Sequence, residues 1–292
     1  MPPSSYPGDS DTDIQRPLIE KLGVFLVKFG NHYNYWMLDT ETNTFDLTRG
    51  GSKDAITFPT SARGNSSITI APERSALVII DMQKMNPRAE LGRAAVGPTL
   101  DMIDAFRSNG MKIAWVQWGI TEYDLKHLVS PALIYRFSGN KKAEGTSLCS
   151  EMGFVQNGTI DAGKKLCRGS WNAQAYGPLY DSYLKGKEMG TDFYFDKNSL
   201  SGLSGAMTPL EMWLRDSGIT TLFFGGVNTD QCVWGTMKDS SFKGYDTIMV
   251  TDICATTSPE FATQMVLHNM HGRGWITNTG MILPVLWQVK TL

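Results

Sequence analysis

Three residues with complementary proton chemistry stand at or just beyond the ends of apolar runs: Asp81, Lys197 and Cys232. Cys232 belongs to Leu222-Phe-Phe-Gly-Gly-Val-Asn-Thr-Asp-Gln-Cys-Val233, an apolar run that stops at a polar turn where a helix is expected to begin. Unpaired N–H groups at a helix start favour thiolate over thiol, and thiolate is the nucleophilic form. A thiol nucleophile needs a base to take its proton and a positive neighbour to keep both groups poised. Asp81 supplies the carboxylate and Lys197 the ammonium. The backbone N–H groups of Asn228 and Cys232, where strand turns into helix, can hold an oxyanion. Such a set supports acyl transfer: attack on a carbonyl, expulsion of an amine, then hydrolysis of a thioester. Against it stands the commoner fate of each residue type, namely a buried structural cysteine, a capping aspartate or a solvated lysine.

The elements that must position these groups alternate from about residue 70 onward. Apolar runs lie at Ser75–Ile80, Lys112–Gln117, Phe193–Phe195, Thr221–Val227 and Asp246–Thr251, with a final short one near Gly274–Thr277. Helical spacing separates them, as in Thr99–Arg107, and Thr208-Pro209-Leu210-Glu211 combines an N-cap, a proline at N1 and a glutamate at N3. Ser258-Pro259-Glu260 reads as another helix start. Runs of five or six apolar residues between helices imply strands covered on both faces. The fold class is therefore α/β, a three-layer αβα arrangement on a mainly parallel, Rossmann-like sheet. In such sheets functional groups gather at the carboxyl ends of the strands, where all three residues fall.

Residues 71–292 form the main domain and 1–70 an N-terminal extension. Residues 1–13 are rich in Pro, Ser, Asp and Gly and are expected to lack fixed structure. Val24–Val27, Tyr33–Leu38 and Thr44–Thr48 then predict a small arm or hairpin, with linkers at 50–53 and 61–66. Residues 119–190 read as a long excursion between strands, a common place for a substrate pocket.

A net charge of -2 gives no electrostatic case for nucleic acid or an anionic membrane. No stretch approaches the roughly 18 apolar residues of a membrane helix, and the first residues lack the pattern of a secretory signal. Four cysteines, Cys149, Cys167, Cys232 and Cys254, are too few and too scattered for a disulfide framework, and none forms a C-x-x-C pair. A reducing, cytoplasmic setting is the default expectation, with Cys149, Cys167 and Cys254 as ordinary thiols.

Three stretches resemble the isochorismatase-like cysteine hydrolases, a superfamily that also holds nicotinamidase, N-carbamoylsarcosine amidase and ureidoacrylate amidohydrolase. They are Ala76-Leu-Val-Ile-Ile-Asp-Met-Gln83, Lys197-Asn-Ser-Leu-Ser-Gly-Leu203 and Gly225-Gly-Val-Asn-Thr-Asp-Gln-Cys-Val233, spread over about residues 72–280. The resemblance implies an Asp81–Lys197–Cys232 triad, a cis peptide between Val227 and Asn228 that turns the Asn228 N–H toward the oxyanion, and a homodimer or homotetramer. Leu203 departs from the phenylalanine usual there. Nicotinamidase-like members carry an Asp-x-His element and a further His for a metal. Here Trp115-Val-Gln-Trp-Gly119 stands in that place and the interval holds only His127, so no catalytic metal and no cofactor are expected.

The expected function is hydrolysis of a C–N bond in a small amide or ureide, closest in type to ureidoacrylate and N-carbamoylsarcosine amidohydrolases. The alternatives are a vinyl ether hydrolase without covalent catalysis, and a non-catalytic member that binds a metabolite. Gln117, Trp118, Tyr123 and Trp171 are assigned to the substrate pocket, with ordinary packing as the competing reading. Gly169–Ala173 resembles a family segment near the pocket. Arg88 and Arg168 are candidates for a substrate carboxylate, with a surface position the competing reading.

Overall fold

In the computed structural model, residues 19–21, 23–84, 90–138 and 147–289 are described; residues 1–13 and Arg88 lie outside them. The apolar runs form the strands expected of them. A six-stranded sheet is built from β7 (Ser75–Ile80), β8 (Lys112–Trp118), β11 (Asp192–Lys197), β12 (Thr221–Val227), β13 (Asp246–Ala255) and β14 (Trp275–Thr277). Its order is β11-β8-β7-β12-β13-β14 and every pairing is parallel. Every residue of β7 is buried, as a strand covered on both faces requires.

Helices α1 (Glu90–Ala94) and α2 (Val96–Ser108) follow β7, and α3 (Glu122–His127) and α4 (Pro131–Phe137) follow β8. The later crossovers run through α5 (Pro178–Glu188), α6 (Pro209–Asp216), α7 (Trp234–Phe242) and α8 (Glu260–Arg273), and α9 (Thr279–Val289) ends the described chain. Helix α2 packs against α5 and α9, and α7 against α8. Thr208 caps α6 as expected, its hydroxyl accepting from the Glu211 N–H at 3.2 Å. Ser258 does not cap α8. Its hydroxyl donates instead to Asp230 at 2.8 Å.

The chain leaves β7 outward through β8 to β11, then returns to the other side of β7 at β12. That reversal is the topological switch point, where open α/β sheets place their ligands. Strands β7 and β12 approach closely at Gly226, whose φ is +122° and where an added Cβ would lie 2.0 Å from the Ile80 carbonyl oxygen. Only glycine lets the strand that leads to Cys232 pass so near the strand that leads to Asp81.

The predicted excursion is more structured than its sequence implied. Its last part is the crossover helix α5, and a short pair, β9 (Phe154–Val155) and β10 (Ile160–Asp161), lies in its middle. The sulfurs of Cys149 and Cys167 are bonded, their Cα atoms 5.2 Å apart, which corrects their reading as ordinary thiols. The turn through β9 and β10 brings the two together. Cys149 N–H donates to the Lys165 carbonyl, a ladder that the 18-residue spacing does not reveal.

In the N-terminal segment β3 (Tyr35–Asp39) pairs antiparallel with both β2 (Leu26–Gly30) and the strand at Thr44–Asp46, inside a larger sheet. It is completed by β1 (Ile19–Lys21), β4 (Thr44–Asp46), β5 (Ile56–Pro59) and β6 (Ser67–Ile70), in the order β1-β2-β3-β4-β6-β5. The stretches read as linkers are turns of this sheet. Phe45, Ile56, Phe58, Ile68 and Ile70 belong to the same buried cluster as β7 and β12. Phe58 packs on Phe223 at 5.7 Å, and Trp36 on Trp275 at 4.8 Å.

Candidate active site

Asp81 follows β7 with φ +52°, an unusual conformation for a residue with a Cβ, and its N–H donates to the Val116 carbonyl of β8 at 3.0 Å. Its Oδ1 accepts from the Trp118 N–H at 3.1 Å. Its Oδ2 lies 2.9 Å from Lys197 Nζ, with side-chain exposures of 7% and 4%. That ammonium is the one cation paired with Asp81 among the described residues. With the Trp118 N–H on one oxygen and the Lys197 ammonium beside the other, this buried carboxylate keeps acceptor capacity for a proton. The Lys197 ammonium is fixed by the Ser199 carbonyl at 3.0 Å and by the Trp118 ring, 3.7 Å below it.

Cys232 lies within a single π-helical turn, Thr229–Val233, which leads into α7. The Val227–Asn228 peptide bond is cis. The turn is pinned to the segment after β13 through Asp230, which accepts from Thr256 at 2.6 Å and from Ser258 at 2.8 Å. Burial raises the Asp230 carboxyl, but hydrogen bonds from Thr256, Ser258, its own backbone and Gln231 together hold the group below its ordinary value.

A helix start favours thiolate at Cys232, but burial of the sulfur works in the opposite direction. Burial, and next the negative charge of Asp81, push the Cys232 thiol up to about 12, with Lys197 opposing. Burial likewise raises Asp81, against the Lys197 charge and donors from Cys232, Lys197 and the Trp118 N–H. At neutral pH the proton therefore rests on sulfur beside a base whose affinity for it has been increased. The arrangement can deliver a nucleophile as the proton transfers, rather than storing one.

A cleft of about 550 Å³, open to solvent, brings together Asp81, Trp118, Val227, Asn228 and Cys232. Trp118 lines it as assigned. Gln117, Tyr123 and Trp171 do not. Strand alternation turns Gln117 to the face of β8 opposite Trp118, where its amide is buried without partners among the described residues. The capping box of α3 turns Asp124 inward, to accept from Asn198 at 2.7 Å, and leaves Tyr123 outside against His127. Trp171 sits beside Lys84 at 4.7 Å. The turn it opens supports the cleft from behind, because Ala173 accepts from Gln83 Nε2 at 2.6 Å. Arg168 is engaged with Asp196 at 2.8 Å, away from the cleft.

The structure adds lining residues that sequence reasoning missed: Gln83, Arg136, Phe137, Leu166, Leu200 and Gln231. Gln83 locks Trp118, accepting its N–H at 3.2 Å and donating to its carbonyl at 2.8 Å. Ser130-Pro131 is a legible start for α4, with Ser130 Oγ accepting from the Leu133 N–H. Nothing in that signal says that α4 lies over the strand end, with Phe137 edge-on to Trp118 at 5.2 Å.

The residues do not fit a divalent metal. Trp115–Gly119 offers no imidazole or carboxylate, and among the described residues no three His, Cys, Asp or Glu side chains cluster as a cation site.

Residues 75–280 match the sequence model of the Isochorismatase domain, and the chain belongs to that family. The ureidoacrylate amidohydrolase RutB of Klebsiella variicola (strain At-22) is 29% identical over 226 residues, covering 73% of this chain and 86% of the relative. Among solved structures, a cysteine hydrolase from Pseudomonas syringae pv. phaseolicola 1448A superposes with a TM-score of 0.57 at 16% identity. The match covers 75% of this chain and 95% of that one. An isochorismatase family protein from Desulfovibrio vulgaris subsp. vulgaris str. Hildenborough gives 0.53 at 21% identity, over 75% of this chain and 99% of its own. These two likenesses establish the fold. No helix among the described residues is long and apolar enough to cross a membrane.

Proposed function

We propose that the protein is a metal-independent cysteine amidohydrolase that cleaves the C–N bond of a small amide or ureide through a thioester. The observation that carries this reading is the buried Asp81 carboxylate, held between the Lys197 ammonium and the Cys232 thiol. Family membership and the likeness to an amidohydrolase support it.

In this mechanism the substrate carbonyl binds over Cys232, and Asp81 takes the thiol proton as sulfur attacks. The N–H groups of Asn228 and Cys232 hold the oxyanion. Collapse of the tetrahedral intermediate expels the amine, which takes the proton from Asp81. Water, deprotonated by Asp81, then hydrolyses the thioester and releases the acid. Lys197 balances the charge of Asp81 whenever it is ionised.

The test is an acid quench of the enzyme during turnover of an amide and ureide panel, followed by intact-mass and peptide analysis. An acyl adduct on Cys232 is the expected result. Turnover with no adduct on Cys232, even when hydroxylamine is used to trap a thioester, would sink the covalent route.

A further inference from the structure

Among the described residues, one charge that lines the cleft has no opposite charge paired with it. Asp81 and Lys197 neutralise each other. Arg136, from α4, also lines the cleft, and among the described residues no carboxylate pairs with it. Its hydrogen bond among them runs from Nη2 to Oε1 of Gln231, the residue just before the nucleophile. That same oxygen accepts from Asn228 Nδ2 at 3.4 Å, while Gln231 Nε2 donates to Ser258 at 3.3 Å. Gln231 thus moors the guanidinium at the rim of the nucleophile turn.

A guanidinium has five N–H donors in a rigid fork, and one contact to an amide oxygen leaves most of them available. The remaining walls of the cleft are mainly apolar, with Trp118, Phe137, Leu166, Leu200 and Val227 among them. A ligand spanning this space meets the thiol at one end, apolar walls between, and a positive fork at the rim. Of the two arginines that the sequence offers for such a role, Arg168 is already paired with Asp196 and Arg88 lies outside the described residues.

We infer that Arg136 is a specificity-determining residue that receives a carboxylate on the substrate, so that the class cleaved is the amides and ureides of small carboxylic acids. The inference rests on the reading of Cys232 as nucleophile. Arg136 itself takes no part in bond making. It sets which molecules arrive with their carbonyl over sulfur, by a charge-assisted, bidentate contact.

Two alkylating agents of nearly equal size test this without knowledge of the substrate: iodoacetate, which carries the carboxylate, and iodoacetamide, which does not. Alkylation of Cys232 is followed by mass spectrometry for the wild type, Arg136→Gln and Arg136→Lys. In Arg136→Gln the iodoacetate rate should fall about tenfold, the scale of one exposed charge-assisted contact. The iodoacetamide rate should stay level, which also reports an intact fold, and Arg136→Lys should lie between. In the wild type, added salt should slow iodoacetate selectively, since an exposed charge is screened. A rate ratio indifferent to both the substitution and salt would overturn this inference and leave Cys232 as nucleophile. Failure of either reagent to label Cys232 in the wild type would overturn the nucleophile reading, and this one with it.

Discussion

Strand β11 carries a buried ion pair at each end, and the two are built differently. At its start, Asp192 accepts from Arg107 at 2.9 and 2.6 Å, from Trp115 Nε1 at 2.7 Å and from Thr191 Oγ1 at 2.8 Å. Every lone pair there is claimed by a donor that packing holds in place. At its end, Lys197 faces Asp81 at 2.9 Å, and the one backbone donor to that carboxylate among the described residues is the Trp118 N–H at 3.1 Å. Burial of charge is common to both ends; saturation is not. A saturated carboxylate stabilises position and has nothing left for a proton, whereas the unsaturated one keeps chemical capacity. The amino end of the strand is a joint and the carboxyl end a tool.

Substitutions should separate the two roles. The largest expected effect is on catalysis: Cys232→Ala should lower kcat by about 10⁴-fold or more while the urea midpoint hardly moves. Residual turnover near the wild-type rate would erase the distinction between the two ends. Next, Arg107→Met removes the cation from a buried carboxylate and should cost about 3 kcal/mol of stability in urea unfolding. The folded fraction should keep its kcat; a selective loss of turnover at normal stability would mean that the amino-end pair also serves the chemistry.

The smallest effect is a displacement in pH. Because burial raises Asp81, kcat/KM should fall with acidification through a limb above the ordinary carboxylate range, as the base becomes protonated. Lys197 opposes that rise, so Lys197→Met should move the limb further up. A limb at the ordinary position in both enzymes would show that Asp81 is not the titrating base.

The parts of this site legible in the sequence were those confined to one strand and its turn. Asp81, Lys197 and Cys232 each follow an apolar run, and alternating runs and caps sufficed for the parallel sheet. What stayed hidden depends on contacts across long separations. Arg136 meets Gln231 across 95 positions, and Gln83 meets Ala173 across 90. Tyr123 and Trp171 had suitable side chains in a suitable region, but a capping box and a short turn decided which way each faced. The protonation of Cys232 depends on distant contacts in the same way. A helix start is a local signal, whereas desolvation depends on everything packed around the sulfur.

The N-terminal sheet bears on how this enzyme can be dissected. Homology begins at residue 75, yet Arg49 grips Asp246 at 2.6 and 2.7 Å at the start of β13, and Trp36 donates to the same carboxylate at 2.7 Å. A chain trimmed to the homologous boundary would strand that anion in the interior and bare the aromatic face of Phe223 and Trp275. The evolutionary border and the folding border of this protein do not coincide. Residues outside the region shared with the family supply partners to a carboxylate inside it.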